Sequence, residues 1–183
     1  PAGLFAAIHA AQGGCRVLVL EKNDRPGKKL LITGKGRCNV TNNCPEQEIL
    51  QNVPRNGRFL FSAVNACTPA DVMAFFEKNG CPLKTERGNR VFPVSDKAQS
   101  VLDCLLGQCR KLGVTIKTAR VKTILHEDGL VTGVQTERES IASKWVILAT
   151  GGVSYPTTGS TGDGYTMARA LGHTIVTPEG SLV

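Results

Sequence analysis

Small apolar residues lead the chain. Ala2, Gly3, Ala6, Ala7 and Ala10 recur at helical spacing between Pro1 and Ala11, which predicts a helix able to lie close against a sheet. Gly13-Gly14 stops it, and Val17-Leu18-Val19-Leu20 follows as an unbroken apolar run, the pattern of a buried parallel strand, ended by Glu21. From 22 to 44 the periodicity disappears, and Gly, Lys, Asn and Thr dominate. Loops beyond about 12–15 residues inside a domain tend to be functional or disordered, and the density of specific polar groups here favours function. Two or three helices come next. Thr68 is placed to cap one, with Pro69 at its first position, Val72, Met73, Phe75 and Phe76 on its apolar face and Gly80 at its end. Ser95 is placed to cap another, in which Ala98, Val101, Leu102, Leu105, Leu106 and Leu112 share a face and Gly113 is the stop. Short strands are expected near 114–116, 119–125, 130–137 and 145–149, two of them joined by a Glu127-Asp128-Gly129 hairpin turn. A last helix over 163–171, Gly172 and a strand at 173–176 complete the pattern. Helices alternate with parallel-type strands, and an antiparallel meander precedes the 145–149 strand. The expectation is an α/β fold with a parallel sheet, flanking helices and a β-meander insert.

Composition narrows this picture. The 183 residues, 41% apolar and 20% charged, suffice for one domain with its own core and are too apolar for disorder. No apolar run reaches the roughly 18–20 residues of a membrane helix, and no basic-then-apolar leader occurs, so a cytoplasmic protein with no membrane partner is expected. The chain opens on Pro1-Ala2-Gly3 without a Met, passes straight into a helical pattern, and ends on Ser181-Leu182-Val183 without a stop signal. It therefore reads as a fragment truncated at both ends. The formal charge of +7 is scattered rather than blocked. A basic nucleotide-binding face accounts for part of it, and a nucleic-acid partner is the lesser expectation. The seven cysteines form no Cys-x-x-Cys pair, so neither a metal site nor a disulfide framework is expected, and reduced thiols are the simplest account.

Three glycine-rich junctions carry the candidate chemistry. A dinucleotide fold places Gly-x-Gly-x-x-Gly between its first strand and first helix, so that backbone amides approach the pyrophosphate. Pro1-Ala2-Gly3 looks like the last three positions of that motif, with the strand and the earlier glycines missing. Seventeen residues separate Gly3 from Glu21, and an acidic group about 20 residues on is what binds the adenosine ribose hydroxyls and repels a 2′-phosphate. The second junction is Thr33-Gly34-Lys35-Gly36-Arg37-Cys38-Asn39-Val40-Thr41-Asn42. It is not a Walker loop, and from its chemistry alone it reads as an anion-binding loop in which Arg37 and Asn39 can hydrogen-bond a phosphate or a ring edge. The third pairs Val146-Ile147-Leu148-Ala149-Thr150-Gly151-Gly152 with Gly159-Ser160-Thr161-Gly162-Asp163-Gly164 at a strand-to-helix turn, where α/β folds bind ligands. On helix physics alone Asp163 reads as an N-cap.

Gly3 through Glu21, Ala149-Thr150-Gly151 and Thr161-Gly162-Asp163-Gly164 resemble the FAD-binding domain of the glutathione-reductase and fumarate-reductase type flavoproteins. The strings 27–42 and 151–164 are more specific, and resemble the YhiN/BaiN-like (aminoacetone-oxidase-like) bacterial FAD-dependent oxidoreductases. The resemblance spans essentially the whole chain. It implies that residues 1–183 are the N-terminal portion of a Rossmann-like FAD-binding domain. The parent would be roughly twice this length, with a substrate domain and a C-terminal return segment beyond residue 183. Carried over by position, Gly3 would face the pyrophosphate and Glu21 the adenosine ribose, with Lys22 beside it. Lys29, Gly36, Arg37, Cys38 and Asn39 would line the pyrophosphate-to-flavin stretch. Val121 would meet the adenine through its backbone, and Thr150, Gly151, Gly162 and Asp163 would complete the nearer wall. The implied activity is flavin-mediated redox of a small organic substrate, with NAD(P)H as a candidate electron donor.

No catalytic residue is assigned. His9, His126 and His173 lie on separate predicted elements without a carboxylate at a recognisable spacing, and no Gly-x-Ser-x-Gly nucleophile motif occurs. Cys38 is the one thiol placed near the expected flavin, with Cys44 its nearest neighbour in sequence, and it reads as packing rather than redox chemistry. Two rivals to the small-molecule oxidoreductase are a flavin-dependent RNA-modifying enzyme, suggested by the +7 charge, and a non-catalytic flavin-binding module.

Overall fold

The computed structural model describes residues 1–180. The expected unterminated end, Ser181–Val183, lies outside the described residues. The chain divides into two compact units: Pro1–Lys29 together with the chain from Cys109 onward, and Leu30–Gln108.

The first unit carries the parallel pairing. Helix α1 (Ala2–Gln12) closes at Gly13-Gly14, where Gly14 takes φ 84° and the Cys15 amide donates back to the Ala10 carbonyl at 3.0 Å. Strand β1 (Leu18–Glu21) follows, and it pairs in parallel with β5 (Thr115–Thr118), Leu18 opposite Thr115 and Glu21 opposite Thr118. Leu4, Ala7 and Ile8 are the buried face of α1. The meander is present as a three-stranded antiparallel sheet of β6 (Val121–Glu127), β7 (Leu130–Thr136) and β8 (Ser140–Ala142) in the order β6-β7-β8. The hairpin turn is made by Asp128 and Gly129, with φ 50° and 78°. Two left-handed residues match the twist of paired strands, which is why an Asp-Gly pair serves there. Ile124 and Val134 of this sheet form a core with Met167 of α7 (Asp163–Ala170), and Leu20, Val121 and Val146 pack against it.

Two predicted strands of this unit do not form. Residues 145–149 and 173–176 are outside any sheet, with Trp145 85%, Ile147 66% and Val176 80% exposed. An apolar run supplies strand propensity but not a partner. Among the described residues no strand edge pairs with either segment, so their backbone groups have no ladder to join.

The second unit begins inside what the sequence suggests is a long loop. Residues 22–44 instead contain a short helix, α2 (Lys28–Ile32), a turn over Thr33–Gly36 and the short strand β2 (Thr41–Asn42). Strand β2 joins β3 (Leu83–Glu86) and β4 (Arg90–Pro93) in an antiparallel sheet of order β2-β4-β3. The β3–β4 turn runs through Gly88 and Asn89, at φ 75° and 57°. Helices α3 (Glu46–Gln51) and α4 (Phe61–Ala66) precede α5 (Pro69–Lys78). Helix α5 starts as expected: the Asp71 amide donates to Thr68 Oγ1 at 3.1 Å, and the Thr68 amide donates to Asp71 Oδ2 at 2.9 Å. Helix α6 (Ala98–Lys111) buries Ala98, Val101, Leu102 and Leu105 at the predicted spacing. It begins after Lys97 rather than at Ser95, because Asp96 takes a left-handed φ of 54°. Ser95 Oγ accepts the Lys97 amide at 3.3 Å instead. Full burial of each large apolar side chain in such a face contributes about 1.5–3 kcal/mol.

Residues 57–78 together are long and apolar enough, by length and composition, to cross a bilayer. The backbone is extended at Cys67 (ψ 89°) and Thr68 (ψ 163°), however, which splits α4 from α5, whereas a lipid-spanning helix must satisfy its backbone without interruption.

Candidate functional site

The end of β1 is where polar groups converge. Glu21 is the last residue of the strand, and its Oε1 accepts two hydrogen bonds, from the Asn23 amide and from Asn23 Nδ2, both at 2.9 Å. Its other oxygen, Oε2, has no protein donor among the described residues. Lys22 Nζ donates to Thr161 Oγ1 at 2.6 Å and to Asp163 Oδ2 at 2.9 Å, and the Thr161 hydroxyl donates to Asp163 Oδ1 at 2.8 Å. Asn23 Nδ2 reaches the Thr158 carbonyl at 3.2 Å. Lys22 and Asn23, the two residues after the strand, thus tie its end to the segment that leads into α7. The hydrogen bond from Lys22, followed by that from Thr161, holds the Asp163 carboxyl below its ordinary range against a smaller opposing effect of burial. Asp163 is therefore not the expected N-cap. Gly162, at φ 80°, holds the cap position, and Asp163 lies in the first turn with its carboxylate facing Lys22.

Glycines let the other walls close. A Cβ on Gly3 would stand 3.1 Å from Ala149 Cβ, and one on Gly151 would stand 3.1 Å from Ser160 Oγ. A Cβ on Gly164 would overlap Thr150 Oγ1 and crowd Leu148. The first turns of α1 and α7 thereby press against the side chains of Leu148, Ala149 and Thr150, with none of their own at Gly3 or Gly164. Amide groups of a first turn have no intrahelical acceptor, and they create a positive end suited to a phosphate. Lys29 Nζ donates to the Ser154 carbonyl at 2.6 Å and to Ser154 Oγ at 3.0 Å. Glycine-lined helix starts beside a strand-end carboxylate with one free oxygen fit a dinucleotide: the helix starts can hold its pyrophosphate and the carboxylate its ribose.

Of the residues picked out from sequence, Gly3, Glu21, Lys22, Thr150, Gly151, Gly162 and Asp163 are linked by these contacts, with Lys29 joined through Ser154. Val121 is the half-buried first residue of β6, opposite Thr136. Gly36, Arg37, Cys38 and Asn39 belong to the second unit and form a cluster of their own. Arg37 pairs with Glu86 and with Asp96, the latter at 2.7 Å, and its guanidinium lies 4.1 Å over the Phe92 ring. Lys84 completes the network at 2.6 Å from Asp96. Arg37 and Lys84 hold both carboxyls below their usual range. The Asn39 amide lies 2.9 and 3.2 Å from the carbonyls of Thr41 and Val91, and donates to both when its nitrogen is the end that faces them. Gly36 (φ 85°) and Cys38 (φ 62°) supply the left-handed turns, and Cys38 is buried with its thiol pushed up by that burial. These side chains anchor the 33–42 segment to β3 and β4, a role that loop composition did not signal.

Asn23 is the residue that sequence reasoning missed; Thr158, Gly159 and Thr161 lay within the 151–164 string without a role assigned to them. The signal available was the Glu-Lys-Asn run directly after an apolar strand, facing a second glycine-rich turn.

The HI0933-like protein Rossmann domain family matches residues 1–180. A 3-dehydro-bile acid delta(4,6)-reductase of Clostridium scindens is 35% identical over 177 residues, covering 94% of this chain and 42% of that protein. A ribosomal RNA dihydrouridine synthase of Escherichia coli is 29% identical over 182 residues, covering all of this chain and 45% of that protein. The chain thus spans less than half the length of these curated relatives. Among solved structures, glycine oxidase from Bacillus cereus superposes with a TM-score of 0.51 at 13% identity, over 84% of this chain and 54% of that one, which speaks to the fold. The match over residues 1–180, together with the glycine-lined helix starts and the carboxylate at the end of β1, shows that the chain belongs to the HI0933-like family of FAD-binding Rossmann domains.

Proposed function

We propose that this chain is the FAD-binding part of a flavin-dependent oxidoreductase that acts on a small organic substrate. One observation carries the reading: Glu21, ending β1 with Oε2 unengaged, is tied through Asn23 to Thr158, and the adjoining Lys22 bonds Thr161 and Asp163 of the same 158–163 segment. Such a carboxylate accepts ribose hydroxyls and repels a 2′-phosphate, which selects the type of dinucleotide. Gly3 and Gly162 would hold pyrophosphate oxygens on the amides of α1 and α7. Lys29, Gly36, Arg37, Cys38 and Asn39 would flank the stretch from pyrophosphate to flavin. Val121 would present its backbone to the adenine, and Thr150, Gly151 and Asp163 would form the nearer wall. When bound, FAD supplies the electron-transfer chemistry; the chain's own groups bind, orient and shield.

The 35% identity to a reductase supports the activity, and the relatives' greater length supports a substrate-binding part outside these residues. NAD(P)H is the candidate electron donor, and the cytoplasm the proposed compartment. The intact protein should purify yellow, and the apoprotein should take up FAD in calorimetry; a colourless protein that ignores added FAD overturns the assignment. A second reading, RNA as the substrate, is favoured by the match of all of this chain to 45% of a ribosomal RNA dihydrouridine synthase. Flavin reoxidation stimulated by RNA and not by small enones would select it.

A further inference from the structure

We propose that Asn23 is a positioning residue that aims the Glu21 carboxylate at the ribose of the bound dinucleotide, an inference that rests on the FAD reading above. A flexible glutamate at a strand end samples several rotamers, and holding it costs side-chain entropy. Here Asn23 holds it twice, through its amide and its Nδ2, both on Oε1 at 2.9 Å. Both bonds fall on one oxygen, which leaves Oε2 as the acceptor for a ligand. The same Nδ2 donates its second hydrogen to the Thr158 carbonyl at 3.2 Å. Gly159, at φ 97°, lies so close that a Cβ there would stand 2.6 Å from Nδ2. Asn23 is therefore fixed from both sides: the turn before α7 sets its amide, and its amide sets Glu21. A side chain at position 159 would displace the Asn23 amide, and aspartate at position 23 would keep the shape but present an acceptor to an acceptor.

The test is a double-mutant cycle on FAD affinity in the intact protein, because a residue acting through another loses its effect when that other is removed. Asn23→Ala leaves the backbone bond to Glu21 in place, so it should weaken FAD by about 3- to 10-fold, the scale of one hydrogen bond. Asn23→Asp, which preserves the packing on Gly159, should weaken it further. In a Glu21→Ala background both substitutions should change FAD affinity by less than about 2-fold, while thermal melting reports any loss of structure separately. Equal losses in both backgrounds would make Asn23 a general scaffold residue and overturn the proposal. So would unchanged affinity in both Asn23 variants alongside a weakened Glu21→Ala. If Glu21→Ala itself binds FAD like wild type, the ribose assignment fails, and the positioning role fails with it.

Discussion

Glu21 is the residue on which the cofactor assignment turns most sharply. Replacing it with Ala removes a charged acceptor, and FAD binding should weaken by roughly 1–3 kcal/mol. Glu21→Gln keeps one acceptor oxygen and should lose less; titration calorimetry separates the two. Gly164 is a steric counterpart. A methyl group there collides with Thr150 Oγ1 and crowds Leu148, so Gly164→Ala should destabilise the protein by about 1–3 kcal/mol through overpacking, as seen in denaturant melts. The same substitution at Gly180, where nothing lies within 4 Å, should be close to silent. Thiol reactivity is a third residue-scale outcome. Cys104 is pushed up to about 11 by burial, with Cys81 adding to it, and Cys109 is buried and raised by the same cause. Cys15 is exposed. A thiolate is the reacting species, so native protein at neutral pH should label at Cys15 while Cys104 and Cys109 stay unlabelled until it unfolds.

At the scale of elements, α5 shows how local chemistry writes a boundary. Thr68, Pro69 and Asp71 together close the first turn, and all three are readable as a capping sequence. Thr68→Ala should cost about 1 kcal/mol of stability, and Thr68→Ser should restore most of it; chemical denaturation of the three proteins compares them directly. The same cap separates α5 from α4, because the extended Thr68 backbone that receives the Asp71 amide cannot continue a helix. The 145–149 segment shows the opposite case. Its apolar run is stronger than that of β8, yet β8 is a strand and the run is not, because β8 has β7 beside it.

For the whole molecule, acid should be the sensitive direction. Asp163, Glu86 and Asp96 are all held below their ordinary values, by Lys22 in the first case and by Arg37 and Lys84 in the others. A carboxyl whose folded pKa is depressed contributes stability that is present above its unfolded value, near 4, and that is lost as pH falls through the folded value. Stability should therefore be flat from pH 7 to about 5 and decline below about 4. Lys22→Met should make the decline shallower, since it removes the cause of the Asp163 shift. Urea melts at a series of pH values read both. A Lys22→Met curve parallel to wild type would show that the Lys22–Asp163 pair does not contribute to the acid response.

What the sequence determined by itself is everything set within a few residues or by one period: α1 and its glycine stop, β1 ending on Glu21, the α5 cap, the apolar face of α6, the Asp128-Gly129 hairpin and the glycine positions where backbones must approach. These depend on local sterics and hydrogen bonding, which travel with the residue types. Even the Gly3-to-Glu21 spacing belongs here, because a helix and a strand of known rise place both ends at one edge of an α/β unit. Tertiary structure decided the rest. Whether an apolar run becomes a strand depends on a neighbour that supplies a ladder, so 145–149 and 173–176 lie outside the sheets while the weakly patterned 83–86 and 90–93 pair. Whether Asp163 caps a helix or receives a lysine depended on Lys22, 141 positions away along the chain. Which groups surround Arg37 was also decided by the fold, which placed Glu86, Asp96 and Phe92 around it. A charge seeks the nearest partner in space, and sequence spacing alone does not say which partner that is.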